Sequence, residues 1–259
     1  MGQYVDAGGV HTWYEEHGAG EPLVLLHGGA VDSRFFEHNV GPLAEHFRVY
    51  TPERRGHGHT PDVEGPITYE LMAQDTIAFL DEVMRGPSDL AGHSDGAVVA
   101  MLVAMHRPDL VRRLVLISGG FHHDGLQPGM DQLEVDSVVD FLGKSYGEVS
   151  PDGEGHFRVV VEKIARMAAE EPALERSALG TIQCRTLVMA ADDDIMRLDH
   201  ILEMYDTIGD AELAIVPGTS HFLIQEKPAL CNAIILDFLT NEPVQTVAPI
   251  RRAAGQPQE

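Results

Sequence analysis

Basic residues are scarce in this sequence: 18 lysines and arginines stand against 41 aspartates and glutamates, a formal net charge of −23 over 259 residues. Such a surface repels phosphate backbones and anionic lipid, so neither nucleic acid nor a membrane is an expected partner. Cysteine is nearly absent. Cys184 and Cys231 match no metal or disulfide framework, which points to two buried thiols in a reducing, cytoplasmic setting. No run of eighteen apolar residues occurs. The stretch Met1-Gly2-Gln3-Tyr4-Val5-Asp6 has neither the basic end nor the apolar segment of a signal peptide. No internal repeat is visible.

What is present supports one large α/β domain, 44% apolar and too short for two full domains with a linker. Residues 3–6 and 10–16 read as strands around a turn. Pro22-Leu23-Val24-Leu25-Leu26 and Arg113-Leu114-Val115-Leu116-Ile117-Ser118 are aliphatic runs of the kind buried on both faces of a mostly parallel sheet. Further strands are expected at 48–52, 186–190 and 213–216. Helices are expected over about 33–47, 68–84, 98–105, 198–208 and 228–239, with Thr68 as an N-cap and Pro228 at a first helical position.

From 121 to 181 the strand–helix alternation stops, and three helices are expected without a strand. Val135, Val138, Val139 and Leu142 mark the first, and Phe157, Val160, Val161, Ile164 and Met167 the second; the third covers 173–179. The chain thus divides into a core of 1–120 and 182–240, a helical lid inserted at 121–181, and a mobile tail at 241–259.

Glu53-Arg54-Arg55-Gly56-His57-Gly58-His59-Thr60 suggests a dinucleotide loop, but the third glycine is missing and Pro61 interrupts the helix that should follow. His57 and His59 lack further metal ligands and read as solvated loop histidines. The chemistry concentrates elsewhere, at Gly92-His93-Ser94-Asp95-Gly96. Gly-x-Ser-x-Gly between a strand and an apolar helix is the pattern of a nucleophile elbow, where a tight turn exposes the hydroxyl beside a helix N-terminus. A serine needs a base, and the base an orienting carboxylate. The order Ser, acid, His leaves His200 and His221 beyond the acidic cluster at 192–194. His221, after a strand and a Pro-Gly turn, is the better base, since His200 lies on a helix close to the acids. Among Asp192, Asp193, Asp194 and Asp199, spacing alone does not choose.

Over roughly residues 10–240 the chain resembles the α/β-hydrolase superfamily. The resemblance rests on His27-Gly28-Gly29, Arg55-Gly56-His57-Gly58, Gly92-His93-Ser94-Asp95-Gly96, Asp194 and Gly218-Thr219-Ser220-His221-Phe222, in family order. It implies an α/β-hydrolase fold, with a mostly parallel central sheet, helices on both faces and a helical lid. Ala191-Asp192-Asp193-Asp194 aligns with the family's Gly-x-x-Asp turn, which makes Asp194 the acid; Ala191 in place of glycine keeps Asp192 as the alternative. The resemblance also implies an oxyanion hole from the backbone N–H groups of Gly29 and Asp95, with Ala30 as a substitute for the first, and structural roles for His27, His93, Arg54 and Arg55. Asp95 departs from the uncharged residue that relatives often carry there, and fits either a helix-start acid or a group on the pocket floor.

The catalytic residues expected are therefore Ser94, Asp194 and His221, with no cofactor and no metal. Phe35, Phe36, Phe121, His122, Met196 and Phe222 flank the expected mouth of a mainly apolar pocket. The expected activity is hydrolysis of a carboxylic ester, lactone or related small acyl compound through an acyl-enzyme. Carbon–carbon bond hydrolysis of a vinylogous diketone is the alternative enzyme, and a small-molecule receptor the alternative outside catalysis.

Overall fold

The computed structural model describes residues 2–130 and 134–250. Strands β1 (Gln3–Ala7), β2 (Val10–Gly18), β3 (Pro22–Leu26), β4 (Arg48–Pro52), β5 (Ser88–His93), β6 (Val111–Ile117), β7 (Arg185–Asp193) and β8 (Ala211–Ser220) form one sheet. Its order is β1-β2-β4-β3-β5-β6-β7-β8. Antiparallel pairs join β1 to β2 and β2 to β4, and every later pair is parallel. The helices are α1 (Glu37–Ala44), α2 (Tyr69–Phe79), α3 (Asp95–His106), α4 (Val135–Gly147), α5 (Phe157–Ala168), α6 (Leu198–Thr207), α7 (Leu223–Glu226) and α8 (Pro228–Thr240).

Successive strand residues point to opposite faces, so an aliphatic run fills two cores at once. In β3, Val24 and Leu26 belong to the core that includes α2, α3 and α6, whereas Leu23 and Leu25 belong to the core that includes α1, α7 and α8. Leu114 and Leu116 against Val115 and Ile117 repeat the division in β6. Helix α3 is buried all round because it lies against the centre of the sheet. Thr68 caps α2 as expected, its hydroxyl accepting the Leu71 N–H at 3.1 Å.

Residues 121–181 contain α4, α5 and a 3-10 turn at Arg176–Thr181, and the third α-helix expected at 173–179 is replaced by that turn. The segment is tied to the core by charge. Asp62 pairs with Lys163 at 2.7 Å and with His156 at 2.9 Å, and Arg34 donates to the Ser145 carbonyl at 2.7 Å.

Other expectations need correction. The strand expected at 213–216 runs on through Ser220. It stands at the sheet edge, where Pro217 has no ladder bond to lose on its open side. His57 is not solvated: it is 2% exposed, and burial pulls its imidazole down to about 3. Cys231 is buried but Cys184 only half-buried. Residues 241–250 form no helix or strand, and 251–259 of the expected tail lie outside the described residues.

The loop after β4 is locked by Arg55, which grips Asp75 of α2 with two hydrogen bonds of 2.6 and 2.8 Å, each side chain 9% exposed. Removing one member strands the other without water. Asp75→Ala should therefore destabilise the protein by about 3–5 kcal/mol, read as a lower urea midpoint.

Candidate active site

Six parallel strands, β3 to β8, deliver their C-terminal ends to one side of the sheet, the usual place for a site in an open α/β fold. Ser94 follows β5 in a conformation rare for a side-chain-bearing residue, φ 55 and ψ −121. Its N–H donates to the Ile117 carbonyl at 2.8 Å, and its own carbonyl accepts from Ala97 N–H at 2.9 Å. The flanking glycines permit this turn by their lack of a Cβ. One at Gly92 would strike the Gly96 carbonyl, and one at Gly96 would strike the Leu26 carbonyl of β3.

His221 Nε2 lies 3.0 Å from Ser94 Oγ, and its Nδ1 lies 2.8 Å from Asp194 Oδ1. An ionised carboxylate only accepts, so Nδ1 carries the proton and Nε2 is free to accept from the serine hydroxyl. Burial alone would raise the Asp194 carboxyl. The hydrogen bond and charge of His221, then the Ser118 hydroxyl and Ala191 N–H, outweigh that and hold it at about 2. Ser118 Oγ donates to Asp194 Oδ2 at 2.5 Å. The rival acids face elsewhere: Asp192 is exposed and accepts from Thr219 N–H at 3.2 Å, and Asp199 is exposed beside Arg197. His200 is buried and stacked on Phe121, with ring centroids 4.0 Å apart.

Two buried histidines brace the surroundings. His93 Nε2 donates to the His221 carbonyl at 2.8 Å, and burial, reinforced by His221, pulls its imidazole down to about 3. His27 is also driven well below its ordinary value, by burial first and the Arg54 charge second. Arg54 Nη2 donates to the Gly28 carbonyl at 2.7 Å, which fixes the loop that presents Gly29. The N–H groups of Gly29 and Asp95 have no hydrogen-bond partner among the described residues, and both residues line the cavity over Ser94.

That cavity measures about 600 Å³ and has a mainly apolar wall. Phe35, His122, Met196 and Phe222 line it, as expected. Phe36 and Phe121 do not. Both are core residues, 3% and 5% exposed, on opposite sides of the sheet. Segment 121–181 supplies much of the wall, including Leu126, Val138, Phe141 and Ile164. His122, His123 and Asp124 each bring a ligand atom within 4.8 Å of the others, the one such grouping found among the described residues. Sequence reasoning missed Tyr69, whose hydroxyl donates to Asp95 Oδ1 at 2.7 Å. It missed Ser118 as well, for which a strand end before Gly119-Gly120 was the sole signal.

The Alpha/beta hydrolase family model matches residues 23–234. This chain is an alpha/beta hydrolase. The hydrolase is 27% identical over 283 residues to a 2-hydroxy-6-oxo-6-(2'-aminophenyl)hexa-2,4-dienoic acid hydrolase of Metapseudomonas resinovorans, covering 98% of this chain and 94% of that one. It is 25% identical over 263 residues to a pimeloyl-(acyl-carrier protein) methyl ester esterase of Nitrosospira multiformis, covering 89% and 99%. Among solved structures, a serine hydrolase involved in carbazole degradation has the same fold, with a TM-score of 0.77, 23% identity and coverage of 93% and 98%. No helix among the described residues of the hydrolase is long and apolar enough to cross a membrane.

The Asp194 carboxyl is depressed in the folded state, so it stabilises the fold above its unfolded value near 4 and loses that contribution as pH falls toward 2. Asp194→Asn should abolish this part of the acid dependence, roughly 2 kcal/mol, when melting temperature is followed from pH 5 to 2.

Proposed function

We propose that the chain is a serine hydrolase cleaving a carboxylic ester, lactone or related acyl compound. The observation that carries the reading is the hydrogen-bonded line from Ser94 through His221 to Asp194, set at the floor of a mainly apolar cavity. In this reading Ser94 Oγ attacks the carbonyl carbon while His221 Nε2 takes the hydroxyl proton. Asp194, held by Ser118 and Ala191, keeps the imidazole in the tautomer that can do so. The unpartnered N–H groups of Gly29 and Asp95 receive the oxyanion. His221 then passes its proton to the departing alcohol, and a water molecule, activated by the same imidazole, releases the acid. Segment 121–181 acts as a lid that keeps bulk water from the acyl-enzyme. The two free thiols support a cytoplasmic setting.

The relative named as a dienoic acid hydrolase supports a second reading, hydrolysis of a carbon–carbon bond in a vinylogous diketone by the same three residues. A hydrolysis screen over short and long acyl esters, lactones and a ring-cleavage dienoate separates the two.

Ser94→Ala should lower kcat by about 10⁴–10⁶ while leaving the fold intact by circular dichroism. A fluorophosphonate probe should label the native protein at Ser94 and leave the variant unlabelled. Ordinary turnover by the variant, or an unreactive Ser94 in folded native protein, would sink the serine mechanism and favour a receptor.

A further inference from the structure

The cavity above Ser94 has an uneven charge inventory. Among the described residues that line it there is no lysine or arginine, while Asp95 and Glu171 contribute carboxylates. Of its four imidazoles, His93 is buried against the His221 carbonyl and His221 is engaged by Ser94 and Asp194. Only His122 and His123 remain, in the segment that forms the lid in the reading above.

Tyr69 organises both acids. Its N–H donates to Glu171 Oε2 at 3.0 Å, and its hydroxyl donates to Asp95 Oδ1 at 2.7 Å. The second oxygen, Asp95 Oδ2, accepts no hydrogen bond among the described residues. It fills the space that a Cβ on Gly29 would occupy. A free carboxylate oxygen therefore stands beside one of the two N–H groups that would hold an oxyanion. Arg54 feels this charge through space: burial pulls its guanidinium down to about 10, and Asp95 is the largest opposing influence. Yet Arg54 forms no ion pair with Asp95 among the described residues. It does not line the cavity, and its Nη2 is committed to the Gly28 carbonyl.

A carboxylate this close to a developing oxyanion repels it, and partial desolvation strengthens the repulsion. Arg54 offsets part of that repulsion through space; an uncharged ester meets the rest, and an anionic one adds to it. A cation carried by the substrate removes it and gains a partner. Position narrows the class further. Asp95 directly follows the nucleophile, and its free oxygen overlies Gly29. A cation that reaches this oxygen while the carbonyl sits on Ser94 is therefore carried close to that carbonyl.

We propose that Asp95 is a specificity-determining residue whose free carboxylate oxygen receives a primary ammonium group on the carbon next to the scissile carbonyl, which makes aminoacyl esters the substrate class. The amino-acid side chain then packs against Val98, Leu142 and Ile164, so apolar side chains are favoured. The ammonium is unchanged by the reaction; the bond broken is the ester C–O, and its alcohol leaves with the proton from His221. The proposal rests on the serine-hydrolase reading above.

The test compares kcat/KM for valine benzyl ester, its uncharged isostere benzyl 2,3-dimethylbutanoate, and the anionic monobenzyl succinate. Native protein should prefer the ammonium ester to the isostere by about 30-fold or more, and turn over the anionic ester least. Asp95→Asn removes the charge but keeps an oxygen for Tyr69. It should reduce the ammonium-to-isostere ratio by about 100-fold, mostly through KM for the ammonium ester. The native preference needs no variant, so misfolding of Asp95→Asn cannot mask the result. Fluorophosphonate labelling in the same preparations keeps the two readings apart. A labelled Ser94 with no preference for the ammonium ester, or parallel losses on both esters in Asp95→Asn, overturns the Asp95 assignment alone. An unlabelled Ser94 overturns the serine reading and this proposal with it.

Discussion

The site depends on one close approach, that of the turn at Ser94 to the end of β3. The serine occupies a backbone region that costs a side-chain-bearing residue of order 1–3 kcal/mol. It is held there because β5 is paired on both sides and α3 is buried all round, so the turn between them has no room to relax. The same contact sets how near α3 comes to the sheet, since Gly96 lies against the Leu26 and His27 carbonyls. It also places the first helical N–H of α3 beside the loop that carries Gly29. Exposed hydroxyl, helix terminus and loop are thus consequences of a single packing constraint.

Around that constraint the site is built by restraint in layers. Ser118 and Ala191 restrain Asp194, Asp194 restrains the His221 ring, and His93 restrains the His221 backbone. The restraining groups come from the C-terminal ends of β5, β6 and β7, and each is buried. In the proposed mechanism such an arrangement needs little adjustment when a substrate arrives, which is how preorganised electrostatics lower a barrier.

How much of this was legible in the sequence follows from where the deciding forces lie. β3 and β6 were readable because burial on both faces imposes an aliphatic run that nothing else explains. The end of β8 was not, because Pro217 is tolerated only by virtue of an edge position that the sequence does not display. That Ser94 and His221 would meet could be read from motif and chain order. That Asp194 would meet His221 was implied only by resemblance, because its distinction from Asp192 is direction, and the register shift between Ala191 and Asp193 in the β7–β8 pairing is not written in residue types. Phe36 and Phe121 were indistinguishable from Phe35 and Phe222 by type, and only packing separates core from cavity. His57 was misjudged because a Gly-rich loop ordinarily faces solvent, whereas this one is pulled inward by the Arg55–Asp75 pair. Tyr69 was invisible as a polar residue because its partner, Asp95, lies on another helix.

The position of Asp95 against Gly29 has an evolutionary consequence. The carboxylate occupies the volume of the missing side chain, so the two sites are a single unit of inheritance. A descendant that acquires even alanine at 29 must first push Asp95 away from Tyr69 or replace it with a smaller residue. Change at position 29 is thereby gated by change at position 95, whereas position 95 is free to change first.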